Sequence, residues 1–107
     1  MIETTYKYNQ SQQKLIEKII NDENVNINHM ILFPGDILPA HNSNSNVYLI
    51  IISGTMDIAL GEQPPATYKS GTIVNVPFDI RMDIRNNGSQ VLEFFVVKAP
   101  HPRDMKK

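Results

Sequence analysis

Closely spaced turn signals constrain this chain more than any other feature of its sequence. From Val25 onward, short β-prone runs alternate with turn-forming residues, and no helical pattern lies between them. The turn signals lie at Pro34-Gly35, 42–46, Ser53-Gly54, 61–65, Ser70-Gly71, 77–79 and 86–88. Short strands separated by turns at such intervals are typical of an all-β sandwich or barrel.

The Asn87-Gly88 pair predicts a particular kind of turn. A type I′ β-hairpin needs a positive φ at both of its central residues, and Asn followed by Gly tolerates this best. We therefore expect a tight hairpin at this pair.

The segment 79–85 alternates charged and apolar residues without a break. Successive side chains of a strand point to opposite faces, so one set turns toward the core and the other toward water. We expect Ile80, Met82 and Ile84 to point inward and the four charged side chains to point outward.

The segment 47–52 is apolar on both faces. A strand of this kind is covered on both sides. In a chain of 107 residues the second cover is an N-terminal helix, another sheet or a second subunit. We favour the second subunit, and therefore a homodimer.

The segment 11–21 carries apolar residues at i, i+1, i+4 and i+5, which are Leu15, Ile16, Ile19 and Ile20. This spacing predicts one apolar stripe on a short helix, with Asn9 or Ser11 as its N-cap. We expect the helix to pack against the outside of a sheet.

Length and charge limit the organisation and the partners. A chain of this length forms one domain, which we divide into an N-terminal segment with a short helix (1–24), a barrel (25–102) and a tail (103–107). The formal net charge is −1 and no basic stretch stands out, which argues against nucleic acid and membrane as partners. The longest apolar run, six residues, is too short to cross a membrane. We expect a cytoplasmic protein.

Two spaced patterns run through the middle of the chain. The first comprises Gly35, His41, Ser43, Val47 and Gly54, and the second comprises Gly71, Pro77, Asp79, Met82 and Asn86. Their spacings resemble the two motifs of the cupin superfamily: Gly-x5-His-x-His-x3,4-Glu-x6-Gly, then Gly-x5-Pro-x-Gly-x2-His-x3-Asn. Sixteen residues separate them, a short spacer typical of small bacterial cupins. The resemblance implies an all-β fold, a cupin-type jelly-roll β-barrel of six to eight strands, here with a short N-terminal helix.

The resemblance also shows what this chain lacks. In cupins, two histidines, a carboxylate and a third histidine bind a metal ion, and the matching positions here are His41, Ser43, Val47 and Met82. Valine has no donor atom, a serine hydroxyl is a poor neutral ligand, and a thioether suits soft Cu(I). Such metals need at least three good protein ligands. We therefore expect no metal and no other cofactor.

The predicted ligand pocket follows from the same positions. It comprises His41 and Ser43 at a polar end, the apolar Val47, Leu49, Met82 and Ile84, and His29 if its strand face turns inward. His41 is either an acid–base group or a side chain bonded to the barrel wall. For His29, a hydrogen-bonded core position is the more common outcome. His101, in the tail, is expected to be solvated.

These features favour a metal-independent cupin that binds or senses a small molecule. The alternative is a small isomerase or proton-transfer enzyme that uses His41, with His29 and a weakly held metal as a further variant. A second alternative is a structural protein whose barrel is filled solid by side chains such as Phe33, Leu49 and Met82. An open cavity would argue against this last alternative.

Overall fold

The computed structural model describes residues 2–10 and 13–105, which form nine strands in two antiparallel sheets. The strands are β1 (Leu15–Asn21), β2 (Asn26–Leu32), β3 (His41–Asn42), β4 (Val47–Ser53), β5 (Thr55–Leu60), β6 (Ala66–Lys69), β7 (Ile73–Val76), β8 (Arg81–Arg85) and β9 (Leu92–Lys98). The first sheet has the order β1-β2-β9-β4-β7 and the second the order β3-β8-β5-β6. This is the predicted all-β jelly roll.

The core lies between the two sheets and follows a period of two along each strand. The first sheet contributes residues such as Leu32, Leu49 and Phe94, and the second contributes residues such as Met56 and Ile58. Burial of these apolar side chains drives the two sheets together.

The predicted inward set on and beside β8 is confirmed. Met82 and Ile84 are buried, and Ile80 is partly buried against the core. Arg81 and Arg85 are exposed, so the charged face of this strand is the solvent face.

The predicted N-terminal helix is wrong, because no α-helix occurs in the described parts of the chain. Residues 15–21 instead form β1, which pairs with β2 and carries a register shift between Lys18 and Ile20. The shift explains the misleading pattern, since a bulge inserts one residue and breaks the period of two. Of the two proposed caps, Asn9 donates its backbone N–H to the Glu17 carboxylate at 2.8 Å, while Ser11 lies outside the described residues.

The predicted hairpin at Asn87-Gly88 is also wrong. The strands on either side, β8 and β9, belong to different sheets, and neither residue of the pair has a positive φ. The buried Asn86 shapes this connection instead: its carboxamide nitrogen donates to the carbonyls of Leu32 (2.9 Å) and Gln90 (2.8 Å). Its oxygen accepts the Gly88 N–H at 3.0 Å.

Both chain ends pack on the barrel. The Tyr8 ring lies 4.8 Å from the His29 ring and 4.9 Å from the Phe95 ring. At the other end, His101 bonds through Nε2 to the side chain of Asn21 and through Nδ1 to the Arg103 N–H. The expectation that His101 is simply solvated is therefore wrong.

A short 3-10 helix (Pro102–Asp104) follows His101. Within residues 2–10 and 13–105, no helix is long and apolar enough to cross a membrane.

Candidate functional site

A cavity of about 40 Å³ lies between the two sheets. It is lined by Asn28, Met30, Leu38, His41, Leu49, Met82, Ile84, Val96 and Lys98. The apolar lining residues are buried except for the partly buried Met30, whereas His41 is exposed and Lys98 is partly exposed. The cavity therefore has an apolar floor and a polar rim.

Four of the predicted pocket residues line this cavity: His41, Leu49, Met82 and Ile84. The sheet registers bring them together. His41 is paired with Met82 across β3 and β8, and Leu49 faces the cavity beside Val96, its partner across β4 and β9.

Two other predicted residues, Ser43 and Val47, do not line the cavity. Ser43 follows the end of β3, and its hydroxyl donates to the Pro77 carbonyl at 2.6 Å and accepts the Ile80 N–H at 2.9 Å. It is 2% exposed, so these bonds tie two turns together in the interior. Val47 is part of the packed core.

His29 does not share the pocket with His41, because it lies on the opposite face of the first sheet. Its neighbours Asn28 and Met30 face the cavity, and alternation along β2 therefore turns His29 outward. Its Nδ1 lies 2.8 Å from Glu17 Oε1 and its Nε2 lies 2.7 Å from Glu93 Oε2. The ring is a buried structural link beneath the N-terminal segment.

The sequence reasoning missed Lys98 and Asn28, the other polar groups of the cavity. The signal for Lys98 was present: residues 92, 94 and 96 of β9 are buried and apolar, and residue 98 continues the same alternation. A charged residue at the end of an inward-facing series predicts a polar rim. Asn28 was missed because His29 was considered for the inner face of β2, and alternation along the strand then places the neighbouring Asn28 on the outer face.

The rim of the cavity carries the positive charge of Lys98 without a carboxylate beside it among the described residues. Burial lowers the pKa of the Lys98 ammonium, and the nearby positive charge of Lys18 lowers it further. Among the described residues, no carboxylate pairs with Lys98, and none lines the cavity. Asn28 is 8% exposed and its Oδ1 has no hydrogen-bond partner.

His41 is tied to the barrel wall. Its Nδ1 lies 3.1 Å from the Pro39 carbonyl oxygen. Because a carbonyl only accepts, Nδ1 carries the proton, and Nε2 of the neutral ring is then an acceptor. His41 can therefore donate to the barrel wall through Nδ1 and still accept a hydrogen bond at the rim through Nε2.

The four positions at which the cupin motifs carry metal ligands do not fit a metal ion in this chain. Val47 offers no donor, the Ser43 hydroxyl is already engaged, and Met82 offers a thioether. Among the described residues, no group of three or more His, Cys, Asp or Glu side chains is arranged to hold a metal ion. One imidazole does not make a stable site.

Two larger depressions lie elsewhere on the barrel. One, of about 200 Å³, is lined by Asp57, Ile58, Ala59, Pro65, Asp83, Arg85 and Asn87. The other, of about 440 Å³, is lined by Leu60, Gly61, Glu62, Gln63, Asn75, Pro77 and Ile80. Most of these lining residues are exposed or only partly buried. The cavity between the sheets, with its buried floor, is the better candidate.

Comparison with known proteins identifies a close relative. The chain is 50% identical over 106 residues to an uncharacterized protein of the archaeon Methanocaldococcus jannaschii, and the aligned region covers 98% of this chain and 91% of that protein. The crystal structure of this same archaeal protein, an RmlC-like cupin family protein with a double-stranded β-helix fold, matches with a TM-score of 0.92 and 51% identity over 96% of this chain and 95% of that one. No family model matches.

More distant structures share the fold. An uncharacterized conserved protein from Klebsiella pneumoniae, with a double-stranded β-helix domain, matches with a TM-score of 0.76 at 18% identity, over 90% of this chain and 84% of that one. The cupin domain of Cnp3 from Schizosaccharomyces pombe matches with a TM-score of 0.75 at 18% identity, over 87% and 69%. At this identity the likeness shows the fold alone.

Proposed function

Because this chain belongs to the RmlC-like cupin family, we propose that it is a small-molecule-binding cupin whose ligand enters the cavity between the two sheets without the help of a metal ion. One observation carries the proposal. The cavity joins a buried apolar floor to a polar rim. In this rim a half-buried ammonium and a buried carboxamide oxygen have no partner among residues 2–10 and 13–105. Apolar walls with a few convergent polar groups are typical of ligand sites.

The walls of the cavity are suited to adapt to a ligand. Its volume of about 40 Å³ exceeds the roughly 10–15 Å³ that a cavity needs to hold one water molecule, but it is small for a drug-sized ligand. Met30 and Met82 line it, and unbranched methionine side chains change rotamer readily. A ligand larger than the cavity therefore fits by displacing these two side chains or by extending through the rim.

The enzymatic alternative has less support. Its two-histidine form needs His29 beside His41, and His29 lies on the other face of the sheet between two carboxylates. In the part of the chain that the structure describes, the acid–base side chains that line the cavity are the exposed imidazole of His41 and the ammonium of Lys98.

The same proposal includes a homodimer formed through the outer face of the first sheet. Tyr48, Ile52 and Ile73 lie on the outside of β4 and β7 and are 38%, 47% and 62% exposed. Neighbouring Ile50 and Phe95 extend this apolar surface, which we call the outer apolar face. Contiguous exposed apolar surface of this kind marks interaction sites.

A fragment screen tests the binding function. The metal-free, chelator-treated protein is titrated with neutral, anionic and cationic fragments, and backbone amide signals are followed by two-dimensional NMR. We expect at least one class to shift the signals of cavity residues such as Met82 and Val96.

A matched pair of variants locates the site. Leu38 lines the cavity and its neighbour Ile37 is exposed, so Leu38→Phe should weaken fragment binding about tenfold, or about 1.4 kcal/mol, and Ile37→Phe should leave it unchanged. If no fragment of any charge moves the cavity signals, the protein is not a small-molecule-binding cupin of this kind.

A further inference from the structure

Lys98 lies at the rim of the cavity and forms no ion pair with any residue that the structure describes. It ends β9, pairs with Val47 and Asn26 across the first sheet, and faces inward like Val96. An ammonium that loses part of its hydration normally regains the lost energy from an opposite charge. None of the ion pairs among the described residues includes Lys98.

Among the described residues, the surroundings of Lys98 add a positive charge and no negative charge. Lys18 repels the Lys98 ammonium electrostatically. None of the described residues that line the cavity is an Asp or a Glu. An anion from outside is therefore the group that would neutralise this rim.

Asn28 gives a second, independent sign of a ligand. It is more than nine-tenths buried, it lines the cavity, and its Oδ1 has no partner. Buried polar atoms are almost always hydrogen-bonded. An unpaired oxygen here indicates a place for a polar group that the protein itself does not supply.

The floor of the cavity determines the polarity and the size of the buried part of the ligand. Leu49, Ile84 and Val96 are buried and apolar, so they favour an apolar group and offer nothing to a second charge. The small volume limits the buried part to a short tail, while the charge stays at the rim.

Resting on the proposed binding function, we propose that the ligand is a small carboxylate with a short apolar tail, whose carboxylate forms an ion pair with the Lys98 ammonium. The tail points toward the floor. In a ligand that carries a hydrogen-bond donor such as a hydroxyl beside the carboxylate, this donor occupies the place next to Asn28 Oδ1, because an amide oxygen only accepts. Lys98 is the residue that distinguishes acids from their neutral analogues.

Butyrate and its neutral analogue butyramide test this inference by NMR titration at neutral pH. In the unmodified protein we expect butyrate to shift the cavity signals and to bind about tenfold more tightly than butyramide, since one charge-assisted contact is worth roughly 1.4 kcal/mol or more. Lys98→Met should remove this preference. Lys98→Arg should keep it, and so should Lys69→Met, which removes an exposed lysine of β6.

Each contrary outcome has a distinct meaning. Butyramide binding in the cavity as tightly as butyrate would overturn the carboxylate inference and leave the proposed binding function intact. The carboxylate inference would also be overturned if Lys98→Met bound butyrate as tightly as the unmodified protein does, or if butyrate shifted only the signals of surface lysines. If neither butyrate nor butyramide shifts the cavity signals, the carboxylate inference is overturned. If no fragment of the whole set shifts them, the proposed binding function is overturned as well.

Discussion

Asn86 holds the connection between β8 and β9 through its side chain. It is fully buried, and its carboxamide makes hydrogen bonds to Leu32, Gln90 and Gly88. All three partners are backbone groups, so truncating the side chain leaves two carbonyls and one N–H to find other partners. Asn87, next in the chain, is exposed and uses its backbone N–H instead.

We predict that Asn86→Ala lowers the free energy of unfolding by about 3 kcal/mol, because each buried group left unpaired costs roughly 1–3 kcal/mol. Asn87→Ala, which keeps the backbone bond, should change stability by less than about 0.5 kcal/mol. Urea denaturation of both variants checks this. Equal stability of the two would contradict the structural role of Asn86.

Sequence spacing identified individual cavity residues where strand parity was clear. Met82 and Ile84 followed from an unbroken alternation, and both line the cavity. Ser43 matched a motif position, yet the loop after β3 turns its hydroxyl to the Pro77 carbonyl. Motif spacing therefore predicts which residue occupies a position, but the direction of its side chain depends on hydrogen bonds to turns that are distant in the sequence.

At the scale of elements, β1 and the N-terminal segment are joined to the sheet by a partly buried hydrogen-bonded cluster. The buried His29 ring lies between Glu17 of β1 and Glu93 of β9. Each of its two ring nitrogens contacts one carboxylate oxygen, at 2.8 Å and 2.7 Å. The Asn9 N–H also donates to Glu17, which fixes the segment that carries Tyr8.

This cluster predicts an acid-sensitive attachment. The Asn9 N–H bond lowers the pKa of Glu17 below its ordinary value of 4.5 against the opposing effect of burial, and His29 lowers it further. A carboxyl group with a lowered folded-state pKa stabilises the fold fully above 4.5, and the stabilisation is lost as pH falls through the folded-state pKa. The protein should therefore exceed Glu17→Gln in stability by about 1 kcal/mol at pH 6.

The difference between the two proteins should shrink as the pH falls through the lowered folded-state pKa of Glu17. Urea denaturation at a series of decreasing pH values measures it, and Glu62→Gln, in an exposed turn, controls for the loss of one negative charge. A difference between the protein and Glu17→Gln that does not shrink at any pH at which the protein is still folded would contradict the role of the carboxylate.

The N-terminal element shows why local pattern failed at this scale. The spacing of Leu15, Ile16, Ile19 and Ile20 fits a helix and also a bulged strand. β-branched isoleucine favours strands, and the unpaired edge of β2 offers backbone partners. The pairing of β1 with β2 decides for the bulged strand over the helix, and a local sequence pattern contains no information on this pairing.

At the scale of the whole molecule, the outer apolar face carries the proposed dimer. We predict that Ile73→Lys, at its most exposed isoleucine, converts a dimer to a monomer in sedimentation velocity, because a charge placed within an apolar contact is buried without a partner. Ile37→Lys, at an exposed isoleucine outside this face, should remain dimeric. A protein that is monomeric before any substitution would rule out the dimer.

The fold itself was accessible from the sequence, because motif spacing and turn chemistry describe the barrel from Gly35 to Asn86. The order of strands across the first sheet was not, since β1 joins an edge that no spacing indicates. Of the polar lining residues, His41 was predicted, whereas Lys98 and Asn28 were missed for a related reason: they come from β9 and β2, outside both motifs.

The central claim is that the cavity works as a binding site without the metal centre of other cupins. Elemental analysis of protein free of any affinity-tag histidines, after incubation with iron, manganese, nickel and zinc salts and removal of the excess, tests this most directly. We predict well below one transition-metal ion per chain, because only His41 remains of the four ligand positions. One tightly held metal ion per chain, lost in His41→Ala, would contradict the claim.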